Sequence, residues 1–523
     1  MFARLPLALH RFLRRPLTLP AAEEIVRRRM TRRDESFLRI VQRSVYAHER
    51  SPYLALLRHA GCEFGDLPAA VRTRGVEGAL RQLRGQGVYV TYEEFKGRRP
   101  IVRPGLTLPV KSSDFDNPFA RQDSTVYTGG STGLATAVGQ DLDYIAAGAP
   151  HTALMLEAYG LWDAPTLHWQ NPFPGNGWRF IVQRTYLRQY ARRWCTYCGV
   201  REPKGWFKYY LASQGMWLSL RVLGQYVPAP RFVGLEQADV IARWTHETLR
   251  AEGRCLWYTG VSRALRIARA AQDAGLDLTG TTARIGGEPV TAAKVEALAR
   301  SGVRCLTTYG MNETGAIGIG CLKPAEVDDV HLLHDAFALI THPVPAGQSG
   351  VTVPAFNLTS LIDSSFKVML NYETDDYGAV EERSCGCPLG SYGYTTHLHG
   401  IRSYSKLVGE GVSLVGNEIL QILERVLPAR FGGTLLDYQI QEEEDADGLT
   451  RLYLVVDPRI AIADDREVID AFYAALRSSS PMADAARAVW QHAHSLRIRR
   501  QVPLTTARGK LLPLHVVRPD KGQ

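Results

Sequence analysis

The chain has 523 residues, enough for about two to four domains at roughly 100–200 residues each. Its 45% hydrophobic and 22% charged residues exclude wholesale disorder, collagen and coiled-coil arrays. The formal net charge is +9, but residues 1–50 hold twelve Arg against Glu23, Glu24, Asp34, Glu35 and Glu49, a net of +7 that leaves the body nearly neutral; a nucleic-acid binder with a basic face spread over its fold is therefore not expected.

The first twenty residues carry Arg4, His10, Arg11, Arg14 and Arg15, which break any apolar run, so neither a signal sequence nor a membrane span is expected. Leu5, Leu7, Leu9, Phe12 and Leu13 could form a basic amphipathic helix, packed on its own domain or touching an anionic membrane surface. Eight cysteines in so long a chain do not make a disulfide framework. The pairs Cys195/Cys198 and Cys385/Cys387 suit metal chemistry in a reducing cytoplasm, whereas Cys62, Cys255 and Cys305 read as core residues.

Residues 21–100 read as a helical layer with strand signals at 87–95. From about 101, short apolar runs alternate with helical segments: helix 238–253, strand 255–261, helix 262–275, strand 283–288, helix 291–302 and strand 303–310. This alternation implies parallel βαβ units, whose ligands bind beyond the carboxyl ends of the strands, here after 261, 286 and 309. Past 400, strand 435–441, acidic turn 442–448, strand 449–457, helix 465–479 and strand 495–503 form a smaller α+β unit. The expected fold is α/β, with a helical layer 1–100 and core 101–401 in one large domain, and a small domain 402–523.

Thr125–Gly133 is the densest Gly/Ser/Thr stretch, with a backbone that can approach a phosphate closely. It lacks the lysine of a Walker loop but fits Gly-x-Ser-x-Gly, the elbow of a serine hydrolase built on Ser131, with His492, His494 and His515 available; a polar turn is the third reading. His168–Trp178 is an aromatic Gly/Pro-rich stretch suited to walling a pocket, acting as a lid, or packing as a surface loop.

Downstream stand Ile285-Gly286-Gly287-Glu288-Pro289, Tyr309-Gly310-Met311-Asn312-Glu313-Thr314-Gly315, Tyr372–Asp376, Gly400-Ile401-Arg402 and Pro503–Lys510. In order and spacing this set resembles the core motifs of the adenylate-forming superfamily of acyl-CoA synthetases, over about Thr125 to Lys510. The cysteine pair and the length resemble its phenylacetate-CoA ligase branch. The resemblance implies ATP-dependent activation of a carboxylic acid, aromatic by that branch, as acyl-AMP with release of pyrophosphate. Transfer to a thiol follows, coenzyme A or, in the alternative, a carrier-protein or enzyme thiol. A non-catalytic nucleotide-binding relative is a further reading.

By resemblance, Ser131, Thr132 and Gly133 form the phosphate loop, Gly287 and Glu288 line a strand end, and Tyr309 and Gly310 pack the adenine. Glu313 helps hold Mg²⁺, Asp376 accepts from the ribose hydroxyls, and Arg402 sits at the interdomain seam. Lys510 reaches the forming acyl-phosphate bond from the small domain. Cys321, His331, Cys385 and Cys387 match that branch's candidate ligands for a structural Zn²⁺, with a rival all-cysteine set using Cys195 and Cys198. Departures from the pattern are Asn312 for threonine, Asp375 for glycine, the inserted Ile401, and Tyr404 and Ser405 where acids often stand.

Overall fold

The computed structural model describes residues 5–121, 124–128, 136–173, 177–197, 207–287, 290, 292–345, 352–403, 406–409, 412–415, 422–433, 437–444, 450–476, 490, 496–504 and 514–516. Helices at Leu19–Thr31, Arg33–Ile40, Pro52–His59 and Asp66–Gly85 build the helical layer. The strand expected over 87–95 is cut to β1 (Val90–Thr91), because Thr91 and Glu94 form a reciprocal capping box that starts a helical turn at Tyr92. β2 (Ile101–Arg103) pairs with β3 (Leu106–Leu108), and β4 (Ser124–Thr128) with β5 (Thr136–Gln140).

The α/β alternation is then observed. Strands β6 (Thr166–Trp169), β7 (Arg193–Thr196), β8 (Arg231–Phe232), β9 (Cys255–Tyr258), β10 (Thr281–Gly286) and β11 (Arg304–Met311) run parallel in the order β8-β7-β6-β9-β10-β11. Helices Ala238–Glu252, Val261–Asp273 and Ala292–Ala299 fall within one to three residues of the expected bounds. The sheet then turns antiparallel through β12 (Gly315–Gly320), β13 (Val330–Leu332), β14 (Phe337–Pro345), β15 (Thr352–Ser360), β16 (Tyr372–Glu382) and β17 (Thr396–Ser403), continuing from β11 as β12-β13-β17-β16-β15-β14. β1 adds to β16 in parallel, so the helical layer is stitched into the main sheet. Arg84 pairs with buried Glu373, and Arg84 and Arg103 sandwich the Tyr89 ring at 3.8 Å each.

β18 (Lys406–Gly409) and β19 (Val412–Val415) form a hairpin. A separate sheet follows, β22 (Leu496–Arg500), β21 (Thr450–Val456), β20 (Tyr438–Glu444) and β23 (Leu514–Val516) in that order, with helix Asp465–Leu476 packed against it. The expected acidic turn is shorter than its charges suggest. Glu442, Glu443 and Glu444 remain in β20 because pairing with β21 continues to Glu444, and Arg499 meets Glu443 at 2.5 Å.

At the amino end, helix Leu5–Leu13 buries Ala8, Leu9 and Leu13 with Ile145 and Trp178, which favours packing on its own domain, while Leu7 stays exposed. No described helix is long and apolar enough to cross a membrane. In the His168–Trp178 segment the described residues His168, Trp169, Phe173 and Trp178 are buried, and His168 stacks on Tyr258 at 4.6 Å. Cys62 and Cys255 are buried as expected, whereas Cys305 is partly exposed.

Candidate active site

Tyr309 lies near the end of β11, where a register shift between Tyr309 and Gly310 interrupts the pairing with β12. Asp376 lies on β16, four places away in pairing order, yet the Tyr309 hydroxyl donates to Asp376 Oδ2 at 2.9 Å. The antiparallel half of the sheet therefore curls back on the parallel half and brings two separate motifs together. Burial, and next the Asp376 carboxylate, push the Tyr309 phenol well above its ordinary pKa, so it stays a donor. The Asp376 backbone N–H donates to Thr374 Oγ1 at 3.2 Å, which holds the turn that presents the carboxylate.

Gly286 and Gly287 close β10. A Cβ on Gly286 would stand 2.4 Å from the Thr308 carbonyl oxygen, and Gly287 has φ +80°, so both positions demand glycine. Glu313 is buried and bonded to the ammonium of Lys96, from the helical layer. Lys96 carries no sequence signal beyond its charge and was not among the expected site residues. Lys96 holds Oε1 of the carboxylate that the resemblance gives to Mg²⁺.

Gly315 follows with φ +73°, and its missing Cβ is filled by the Arg179 guanidinium, whose Cζ would lie 2.6 Å from it. Gly315→Val is expected to destabilise by about 1–3 kcal/mol through backbone strain and this clash, measured as a lowered unfolding temperature.

Arg402 pairs in register with Tyr377, and Asp376 with Ser403, so pleat alternation sends Arg402 to the face away from Asp376. There its Nη1 donates to Asp328 Oδ2 at 3.0 Å, while the N–H groups of Gly400 and Ile401 donate to the same carboxylate at 2.9 and 3.1 Å. The structure thus brings Gly287, Tyr309, Gly310, Glu313 and Asp376 to one region and turns Arg402 away. Ser131, Thr132, Gly133, Glu288 and Lys510 lie outside the described residues, as do Cys198, His492 and His494.

A second cluster sits at the far ends of the same strands. Cys321 follows β12, His331 is on β13, Cys385 and Cys387 follow β16, and His397 is on β17. The ligand atoms of Cys321, His331, Cys385 and His397 all lie within 4.8 Å of one another. His331 Nε2 is 3.1 Å from Cys387 Sγ and 3.8 Å from Cys385 Sγ, and its Nδ1 bonds the Tyr394 carbonyl at 2.7 Å, which leaves Nε2 as the lone-pair nitrogen. Hydrogen bonding from Cys321 holds the Cys387 thiol well below its ordinary pKa, while the bond to Cys387 and then burial push Cys321 up.

His397 was missed in the sequence. Its Nδ1 bonds Asp329 at 2.7 Å, and its buried Nε2 has no hydrogen-bond partner. The cross-strand pair His331 and His397 explains its place, and that register is invisible in spacing alone. Soft thiols, an imidazole lone pair and an orphaned buried nitrogen with a carboxylate behind it fit a tetrahedral zinc ion. The rival set fails, because Cys195 is on β7, in a different apolar cluster from Cys321 and Cys387.

No protein-family model matches the sequence, and no curated protein does. Among solved structures, the chain is similar to a 2-hydroxyisobutyryl-CoA ligase in complex with 2-HIB-AMP and CoA, with a TM-score of 0.55 and 15% identity over 93% of this chain and 90% of that one. An amide bond synthetase, McbA from Marinactinospora thermotolerans, gives 0.42 at 15% identity, covering 87% and 84%. An o-succinylbenzoate CoA synthetase, MenE from Bacillus subtilis, gives 0.43 at 13% identity, covering 84% and 80%. The first of these likenesses shows that the chain has the fold of that ligase, α/β with a large amino-terminal part and a smaller carboxyl-terminal one.

Proposed function

We propose that the protein is a ligase that couples ATP to a carboxylic acid, releasing pyrophosphate and forming an acyl-adenylate, then passes the acyl group to a thiol, coenzyme A. The observation that carries this reading is the Tyr309–Asp376 contact, which unites the adenine and ribose motifs at the strand ends of an adenylate-forming fold. In it Asp376 accepts from the ribose hydroxyls, Tyr309 and Gly310 pack the adenine beside Gly287 and Glu288, and Ser131, Thr132 and Gly133 steer the phosphates. Mg²⁺ enters on the ATP phosphates as part of the substrate, and Glu313 with Lys96 shapes the wall beside them. Lys510 approaches the reacting phosphate from the small domain 402–523, which moves about a boundary near Arg402. Transfer to a carrier-protein thiol would use the same first step.

The acid is aromatic in this reading, which follows the resemblance to the phenylacetate-CoA ligase branch. The Cys321, His331, Cys385 and Cys387 cluster holds a structural zinc ion, with His397 as an additional candidate ligand.

The test is ATP–pyrophosphate exchange over a panel of aryl, short-chain and long-chain acids. Acid-dependent exchange is expected, falling at least about 100-fold in Lys510→Ala, within the range of a lost electrostatic contact to the reacting group. Exchange with no acid, or exchange indifferent to Lys510→Ala, would overturn the reading; labelling of Ser131 by a fluorophosphonate without any need for ATP would favour the hydrolase instead.

A further inference from the structure

Parallel pairing places His168 beside Tyr258, Tyr258 beside Arg284, and Arg284 beside Leu306, so one row of side chains crosses β6, β9, β10 and β11 on one face. Strand alternation puts Arg284 on the same face as Gly286, two residues on, near the carboxyl ends where α/β sheets take their ligands. Arg284 opens into a cleft with about 30 Å³ of free space, room for one small group, lined also by Arg179 and by Thr314 and Gly315, the two residues that follow Glu313.

Arg179 and Arg284 are 3% and 7% exposed. The Arg284 guanidinium makes no hydrogen bond or ion pair among the described residues; it lies over the Phe180 and Tyr258 rings, at 4.5 and 5.0 Å, and its Nε is buried without a partner there. Arg179 donates to the Thr314 carbonyl at 3.5 Å, lies 5.0 Å from the Tyr144 ring centre, and leaves a buried Nη1 unpartnered. No described carboxylate lines the cleft. Glu313 is engaged by Lys96, and Asp335, behind His151, accepts from His151 and Tyr394. His168 cannot relieve the shortage of negative charge: burial, then Arg184 and Arg284, drive its pKa down, which leaves it neutral. Two buried guanidiniums without a counter-charge are costly unless an anion completes them.

We propose that this cleft receives a second anionic group of the acid substrate, so that the preferred substrate is a carboxylic acid bearing another carboxylate or an equivalent anion. This rests on the adenylation reading above and names its substrate class. The reacting carboxylate itself suits the clamp poorly. Paired hydrogen bonds from guanidinium would stabilise it as an anion and blunt its attack on phosphorus, and the neutral acyl group of the adenylate would then leave the arginines bare. A group that stays charged throughout satisfies them before and after the reaction.

The experiment is calorimetric titration of the full chain with benzoate, the three benzenedicarboxylates and the C4–C8 linear dicarboxylates, alongside pyrophosphate exchange with each. At least one dicarboxylate is expected to bind ten-fold or more tighter than any monoacid. Arg284→Met is expected to weaken it by about 30-fold or more, the range for truncating a buried charged partner, while benzoate binding changes little. Arg284→Lys, which keeps the charge and loses the fork, is expected to fall between and guards against a methionine variant that fails to fold. Equal binding of mono- and dicarboxylates, or a dicarboxylate preference that survives both variants, would overturn the inference and leave adenylation standing if exchange persists. Arg284-dependent dicarboxylate binding with no exchange would instead overturn adenylation and keep the anion site.

Discussion

Lys96→Met is expected to unfold the protein more readily than any other single change considered. It leaves the Glu313 carboxylate in a site where the residue is only 5% exposed. Breaking a buried ion pair from one side costs about 3–5 kcal/mol, a large share of a total stability of about 5–15 kcal/mol. The double variant Lys96→Met/Glu313→Gln is expected to recover most of this, because no charge is then stranded and the amide can still hydrogen-bond. Thermal unfolding of the four proteins of the cycle at pH 7.5 measures both effects. A single variant as stable as the parent at pH 7.5 would show that other neighbours carry the Glu313 charge.

Removing zinc is the second large effect expected. Cys321, His331, Cys385, Cys387 and His397 come from the ends of β12, β13, β16 and β17, so one ion would staple four segments of the sheet. Free zinc held at about a thousand times its dissociation constant would add about 4 kcal/mol to the folded state. Metal analysis of protein purified without chelator should find one zinc per chain. Treatment with 1,10-phenanthroline, or Cys387→Ser, should release it and lower the unfolding temperature. Loss should also follow acidification, as thiolate and imidazole protonate. Because Asp376 lies about 20 Å by strand rise from the Glu382 end of β16, nucleotide binding should weaken only through stability. Metal-free protein that melts at the same temperature would refute a structural role for the cluster.

The parallel βαβ core was legible because each of its elements is a long run of one period, as in helix Val261–Asp273 or strand Arg304–Met311. Gly286 and Gly287 stood out in the sequence because they answer backbone demands that no other residue meets. What escaped the sequence was long-range. Lys96 lies 217 positions from Glu313, and nothing in its own neighbourhood marks it. His397 joins the metal cluster through cross-strand register with His331, and Arg402 turns towards Asp328 through pleat alternation, both set by pairings that local pattern does not encode. The aromatic His168–Trp178 segment looked like a loop because its Pro and Gly residues hide a buried strand end and a helix start.

The stitching of β1 onto β16 bears on how the protein is made. Arg84 and its partner Glu373 are 289 positions apart. At about 5–20 residues per second, a ribosome needs roughly 15–60 s between them. Throughout that interval Val88, Val90 and Phe95, all fully covered in the finished molecule, have no sheet to rest against. The helical layer emerges first yet settles late, so newly made chains depend on protection of their amino-terminal hundred residues until most of the polypeptide has been translated.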